Sequence, residues 1–219
     1  MAFSENNSKN DSKELRAPSL FISHGAGPMP LLNPDHESYR QLLRGHGQLL
    51  DGVKAVILVS AHWETDEPHI TSASDPGLFY DYEDMRDILP REAFEFKYSA
   101  KGEALAGFRE RGYAICGSGG SYHDFHAVAK AVFENQPIPP SASAFEKFLE
   151  SSATVSDAAE RRNLLLGWRD LPESFIAHKE GESDHFMPFL VAAASGGDQS
   201  GEQYDMYNYK GAPMSFYKW

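Results

Sequence analysis

Two short apolar runs limit the fold more than any other feature: SLFIS at residues 19–23 and VKAVILVS at residues 53–60. Both have strand length. The second is an almost continuous apolar run, the pattern of a strand buried on both faces of an α/β sheet. Between them, residues 35–52 place Tyr39, Leu42, Leu43, Leu49 and Leu50 near helical spacing, with a soft spot at Gly45 and Gly47. Strand, helix and strand in that order predict a βαβ unit and an α/β fold.

Further along, FEFKYSA reads as a strand and KGEALAGFRERG as a helix ending at Gly112. YAICGSGGSYHDF reads as strand, glycine loop and helix start, and HAVAKAVFENQ as a helix that Pro137, Pro139 and Pro140 break. Residues 143–172 read as wholly helical, with Phe145, Phe148 and Leu149 on one face. DHFMPFLVAAASGG reads as a helix with Asp184 at its N-cap and glycines closing it. The last residues alternate well enough for a terminal hairpin or strand. Residues 1–16 read as a disordered polar tail and 17–219 as one domain, for which 41% hydrophobic residues supply an ample core.

Each of the two opening strands runs into a histidine, His24 and His62, and a third, His123, follows the GSGGSY stretch. A fourth, His185, opens a helix, where the positive end of the helix dipole disfavours imidazolium and keeps the ring in its metal-binding, neutral form. One histidine at a strand end is more often a core or capping residue; four such placements in one domain point to a site, because ligands bind at the carboxyl edge of such sheets. His36, His46 and His69 read as surface residues, His126 as solvent-facing, and His178 is left open. GSGGS lacks the Lys-Ser/Thr ending of a phosphate loop and reads as a tight turn near the site. Cys116 lies inside a strand, where burial is a better reading than nucleophilic chemistry. Phe79, Tyr80 and Tyr82 suit either an aromatic-substrate pocket, with Trp63 beside His62, or ordinary core.

A net charge of -12 without a Lys/Arg cluster makes nucleic acid and anionic membranes poor partners. No apolar run is long enough to span a bilayer. One cysteine and a polar N-terminus make a reducing, cytoplasmic compartment the expected one.

FISHGAGP with His24, VSAHW with His62, GSGGSYHDF with His123 and HKEGESDHFMPFLVAAASGG with His185 resemble, in this order, the class III extradiol dioxygenases. The 4,5-DOPA dioxygenase-like branch is the most similar, and YDYEDMRDILP and GAPMSFYKW resemble its aromatic loop and C-terminal strand. The resemblance implies the α/β fold of the class III extradiol dioxygenases, a central mixed sheet flanked by helices. It implies a non-haem Fe(II) enzyme opening a catechol, DOPA-like ring with O2, with zinc also found in such sites. It puts the metal ligands on His24, His62 and His185 and a further, catalytic histidine on His123. Asp184 is then the expected carboxylate behind a ligand, and Tyr80, Tyr82 and Trp63 the expected pocket. Members of the branch also carry an LDHG segment whose histidine acts as acid/base; here RGYAI runs almost directly into CGSGGS, so the domain is expected to be shortened near residues 113–118 and its sheet to lack a strand. The rival expectations are a metal-binding relative that has lost turnover, and a zinc hydrolase, since three histidines also suit catalytic zinc.

Overall fold

The computed structural model describes residues 16–25, 27–63, 65–67, 69, 71, 80–81 and 108–219. The expected strand FEFKYSA, and the expected helix up to residue 107, lie outside the described residues, as does the polar tail up to residue 15. The first strand, β1, is Ser19–Ser23; a turn of helix α1 (Met29–Leu32) and helix α2 (Glu37–His46) lead to β2 (Ala55–Ser60). Next come β3 (Tyr113–Gly119), α3 (Phe125–Phe133), α4 (Ser141–Thr154), α5 (Ala158–Leu166), α6 (Ser174–Ala177) and α7 (Met187–Ser195). A hairpin of β4 (Glu202–Tyr209) and β5 (Ala212–Lys218) ends the chain.

The sheet has five strands in the order β2-β3-β1-β5-β4. β1 and β2 both pair parallel with β3, while β5 runs antiparallel to β1 and to β4. The fold is therefore α/β with a mixed sheet. The hairpin turns through Lys210 and Gly211, both at positive φ (54° and 96°), the primed turn that matches the twist of antiparallel strands. Asn208 Oδ1 accepts the Gly211 N–H at 2.8 Å and fixes that turn.

Helix α7 is the centre of the packing. Its Phe189, Ala192 and Ala193 are fully buried against Phe21 of β1 and Tyr217 of β5. Phe145, Leu149 and Ala153 of α4 complete the same core with Phe186 and Trp168. Each fully buried Phe contributes roughly 1.5–3 kcal/mol. Two glycines of β3 permit the close approach of α7: a side chain on Gly117 would strike the carbonyl oxygen of Pro188, and one on Gly119 that of His185.

Several expectations are corrected. The first three residues of the GSGG stretch are not a loop: Gly117, Ser118 and Gly119 are inside β3, with Gly117 and Ser118 paired to both β1 and β2 and Gly119 to β1. The join of YAI to CGSGG, near which the domain is expected to be shortened, lies within β3. β2 is not buried on both faces: it pairs only with β3 among the described residues, and Val56 and Leu58 are exposed. Residues 143–172 are not wholly helical; the chain leaves helix at Val155, and Asp157 restarts it as α5 by accepting the Glu160 N–H at 2.7 Å. Asp184 does not cap α7, whose N-cap is Phe186 with no side-chain bond. No helix among the described residues is long and apolar enough to cross a membrane.

The glycine contacts give a direct test. Gly119→Ala should cost about 1–3 kcal/mol, because α7 must be lifted from the sheet. Gly45→Ala in α2, where a side chain would meet nothing within 4 Å, should be neutral or stabilise by up to about 1 kcal/mol. Urea midpoints of the two variants check this, and equal midpoints would contradict the packing of α7 on β3.

Candidate metal centre

Parallel strands β1, β2 and β3 end on one edge, and the chain places a histidine just beyond two of them. His24 follows β1 directly, and its backbone N–H donates to the Gly119 carbonyl at 2.8 Å, extending the β1–β3 pairing by one residue. His62 lies two residues past β2, its N–H held by Ser60 Oγ at 3.1 Å. His185 precedes α7, and its carbonyl accepts the Gly120 N–H at 2.9 Å. His123 follows β3, with its N–H on the Ala177 carbonyl at 2.9 Å.

The imidazoles of His24, His62 and His185 meet, and their candidate ligand atoms all lie within 4.8 Å of one another. The Nε2 atoms of His24 and His62 are 3.0 Å apart, and those of His62 and His185 are 3.2 Å apart. Three nitrogens on one ion at bond lengths of ~2.0–2.1 Å would stand roughly 2.9–3.4 Å apart. The other ring nitrogens face away toward fixed partners. His185 Nδ1 donates to Asp184 Oδ2 at 2.7 Å, His62 Nδ1 pairs with Asp81 Oδ2, and His24 Nδ1 lies 2.9 Å from Ser118 Oγ. A carboxylate only accepts, so the protons of His62 and His185 sit on Nδ1 and both Nε2 atoms present lone pairs to each other. Converging lone pairs repel unless a cation lies between them. The donor set therefore fits a divalent metal with three imidazole ligands.

Electrostatics disfavour the charged forms of His24 and His185. Burial pushes His24 down to about 3, helped by His185 and His62. Burial also holds His185 below the usual histidine range, against the opposing pull of Asp184. Asp184 itself is raised by burial but lowered more by His185, so its carboxyl stays below the usual range.

His123 is stacked on His185 with ring centroids 3.6 Å apart, and both of its ring nitrogens are buried without a hydrogen-bond partner among the described residues. Burial, then His185, takes it down to about 4. Trp63 is half-exposed beside His62 in the chain and Tyr80 half-buried beside Asp81, while Tyr82 lies outside the described residues. Cys116 is buried, and burial pushes its thiol up to about 11, so it is no nucleophile.

The remaining histidines divide differently from expectation. His69 and His126 are exposed. His36 is buried and packs its ring on Tyr209 at 4.8 Å. His46 is largely buried and ties α2 to β4 through Asp205, 3.0 Å away. Both face the hairpin, which lies far from them in sequence, so helical position alone does not reveal their burial. His178 is fully buried, its Nε2 3.3 Å from the Ser121 carbonyl, and burial takes it down to about 3. Two further site residues, Asp81 and Ser118, are not among those that sequence reasoning singles out. Asp81 lies between Tyr80 and Tyr82, and Ser118 lies within the glycine stretch that reads as a turn.

Removing the carboxylate behind a ligand tests this geometry. Asp184→Ala should weaken metal retention about 10–100-fold, the usual cost of losing the partner that orients a ligand imidazole. Competition with a chelator measures it, and unchanged retention would contradict the ligand role of His185. Acid provides a second test. His24 and His178 at about 3 and His123 at about 4 refuse protons that the unfolded chain takes up near pH 6.5. The unfolded state then binds more protons between those limits, so the metal-free protein should lose stability as pH falls from about 6.5 toward 3–4. Denaturant midpoints at pH 7.5 and pH 5 check the sign; a higher midpoint at pH 5 would contradict it.

No family model matches the chain. Curated proteins do. It is 25% identical to dioxygenase tasH of Hapsidospora irregularis, over 93% of this chain and 85% of that one. It is 22% identical to the 4,5-DOPA dioxygenase extradiol of Beta vulgaris, over 90% of this chain and 94% of that one. The first alignment runs over 280 positions although the chain has 219 residues, so at least 61 aligned positions have no counterpart here (280 less 219). Among solved structures, uncharacterized protein JW3007 from Escherichia coli K12 matches with a TM-score of 0.59 at 16% identity, over 93% of this chain and 99% of that one, a likeness of fold. These relatives, at low identity over nearly the whole chain, support a likeness to the class III extradiol dioxygenases, in agreement with the mixed α/β sheet and the ordered histidine motifs.

Proposed function

We propose that the chain is a non-haem Fe(II) dioxygenase that opens a catechol ring beside its diol with O2. The convergence of three Nε2 atoms, each backed by Asp81, Asp184 or Ser118 on Nδ1, is the observation that carries this reading. His24, His62 and His185 would hold the metal, which would supply Lewis acidity toward a diol and redox chemistry toward O2. Zinc would fit the same donors, but it has no redox chemistry to offer O2. The protein relatives named for 4,5-DOPA cleavage make L-DOPA the first substrate to test.

The chain's own residues do the rest. His123 is neutral at pH 7, stacks on a ligand ring and has two nitrogens unpartnered among the described residues. It serves as the general base for a diol hydroxyl. Asp184 and Asp81 hold their imidazoles in the tautomer that presents Nε2. The sequence holds no LDHG histidine to share the proton work, so His123 must both take a proton and steady the developing charge. Turnover is therefore slow. A metal-binding relative without turnover is the second reading, favoured by the aligned positions that have no counterpart in this chain.

Protein purified without oxygen and loaded with Fe(II) should consume O2 with L-DOPA or a simple catechol. His123→Ala should lower that rate about 10²–10⁴-fold while leaving metal content unchanged. O2 uptake beside metal analysis checks both halves. Metal retention and catechol binding without O2 uptake would establish the second reading, and an unchanged rate in His123→Ala would remove His123 from the chemistry.

A further inference from the structure

We propose that Phe125 forms the aromatic wall of the substrate site and contacts the ring of a bound catechol, an inference that rests on the function proposed above. The residue opens α3, whose first turn is fixed by Asp124 accepting the N–H groups of His126 and Ala127, both at 3.1 Å. A position set by a capped helix start is held, not floating. From it, the Phe125 ring meets the His123 ring edge to face, with centroids 4.2 Å apart and planes at 65°. It lies 6.5 Å from the ring of His185, again nearly perpendicular.

His185, His123 and Phe125 thus form a series of rings leading outward from the metal ligands. The innermost belongs to the ligand set. The middle one is the proposed base. The outermost is apolar and 53% exposed, beside a cluster in which His185 is buried, His24 and His123 are partly buried and His62 is exposed. A large apolar side chain left open next to three converging imidazoles is a surface that a planar arene can cover. Catechol presents its two oxygens at one edge and an apolar ring behind them. With the oxygens directed to the ligand cluster, the ring reaches back toward the aromatic residue beside His123. Offset or edge-to-face contact between such rings is favourable beyond simple burial. The residue would then set affinity for the arene and do no chemistry itself.

Phe133 supplies the control, because it closes the same helix, is 84% exposed and has no ring contact with the histidines among the described residues. The measurement is binding of 4-nitrocatechol to the Fe(II)-loaded protein under anaerobic conditions, followed by its absorption shift, with metal content determined for every variant. Phe125→Ala should weaken binding by roughly threefold to tenfold, the range of an aromatic pair contact, at unchanged metal content. Phe125→Tyr should restore it, and Phe133→Ala should bind as the parent does. In steady state with O2, the loss should fall on KM with kcat little changed. Parent-like binding by Phe125→Ala overturns the proposal. So does loss of metal in that variant, which would make Phe125 a prop for His185 instead of a substrate contact. If the iron-loaded parent itself binds no nitrocatechol, the dioxygenase reading fails first and this proposal with it.

Discussion

One peptide unit, between Gly119 and Gly120, joins the two halves of the site. Its carbonyl accepts the N–H of His24, and its N–H donates to the carbonyl of His185. Residues about 160 positions apart are thereby set in register by two hydrogen bonds to a single rigid plane. The arrangement works only because Gly119 has no side chain, since the His185 carbonyl occupies the space one would need. The same requirement recurs two residues earlier, where the Pro188 carbonyl lies against Gly117. Close contact between α7 and β3 is thus a condition for the histidine cluster, as well as a feature of the core.

The far end of α7 is held by charge. Arg161 is almost wholly buried, and its guanidinium donates to the carbonyls of Ala193, Val155, Gln199 and Gly197. Arg109, also buried, donates to the carbonyls of Ala17, Ser195 and Trp219 and to Gln199 Oε1. Several of these acceptors are the last carbonyls of α7 or those just past it, which carry the negative end of the helix dipole. Neither arginine forms a salt bridge among the described residues, although Asp198 and Asp157 favour the charge of Arg161 and Glu110 that of Arg109. Burying a guanidinium is tolerable here because its N–H groups find acceptors, and these hydrogen bonds to a charged donor are among the stronger ones a protein makes. The helix is pinned to the sheet by glycines at one end and by arginines at the other, which leaves His185 little freedom to drift from the other two rings.

The parts of this fold that are legible in the sequence are those encoded locally. Apolar runs of strand length, the alternation of the terminal strands and the histidines at strand ends follow from residue type and spacing. What is not legible depends on partners distant along the chain. The VKAVILVS run has the pattern of a doubly buried strand, yet burial is a property of neighbours, and Val56 and Leu58 have too few. His36 and His46 read as exposed because α2 is polar, but the terminal hairpin covers them. Asp184 has two possible tasks, capping a helix or holding an imidazole. The adjacent His185 Nδ1 wins, since its N–H offers a directed donor with no alternative partner. Asp81 and Ser118 carry no sequence signal for their roles: each acts through a ring on another element, 19 and 94 positions away.

The charges around the cluster have a consequence for what it can hold. Two carboxylates, Asp81 and Asp184, sit behind His62 and His185, and the third ring has only the neutral Ser118 hydroxyl. Each carboxylate makes its imidazole a better electron-pair donor and at the same time fixes the proton away from the centre. Without a cation, the result is negative charge outside and lone pairs inside, which is electrostatically unfavourable in a partly buried site. Protonating the centre would relieve the repulsion, but burial has already driven His24 to about 3, so protons are an inefficient remedy at neutral pH. A divalent cation would relieve it and would balance the two carboxylates. His123, stacked on His185 and held neutral by burial, adds no positive charge of its own to the cluster, so the balance there is left to the two carboxylates and whatever the three rings hold.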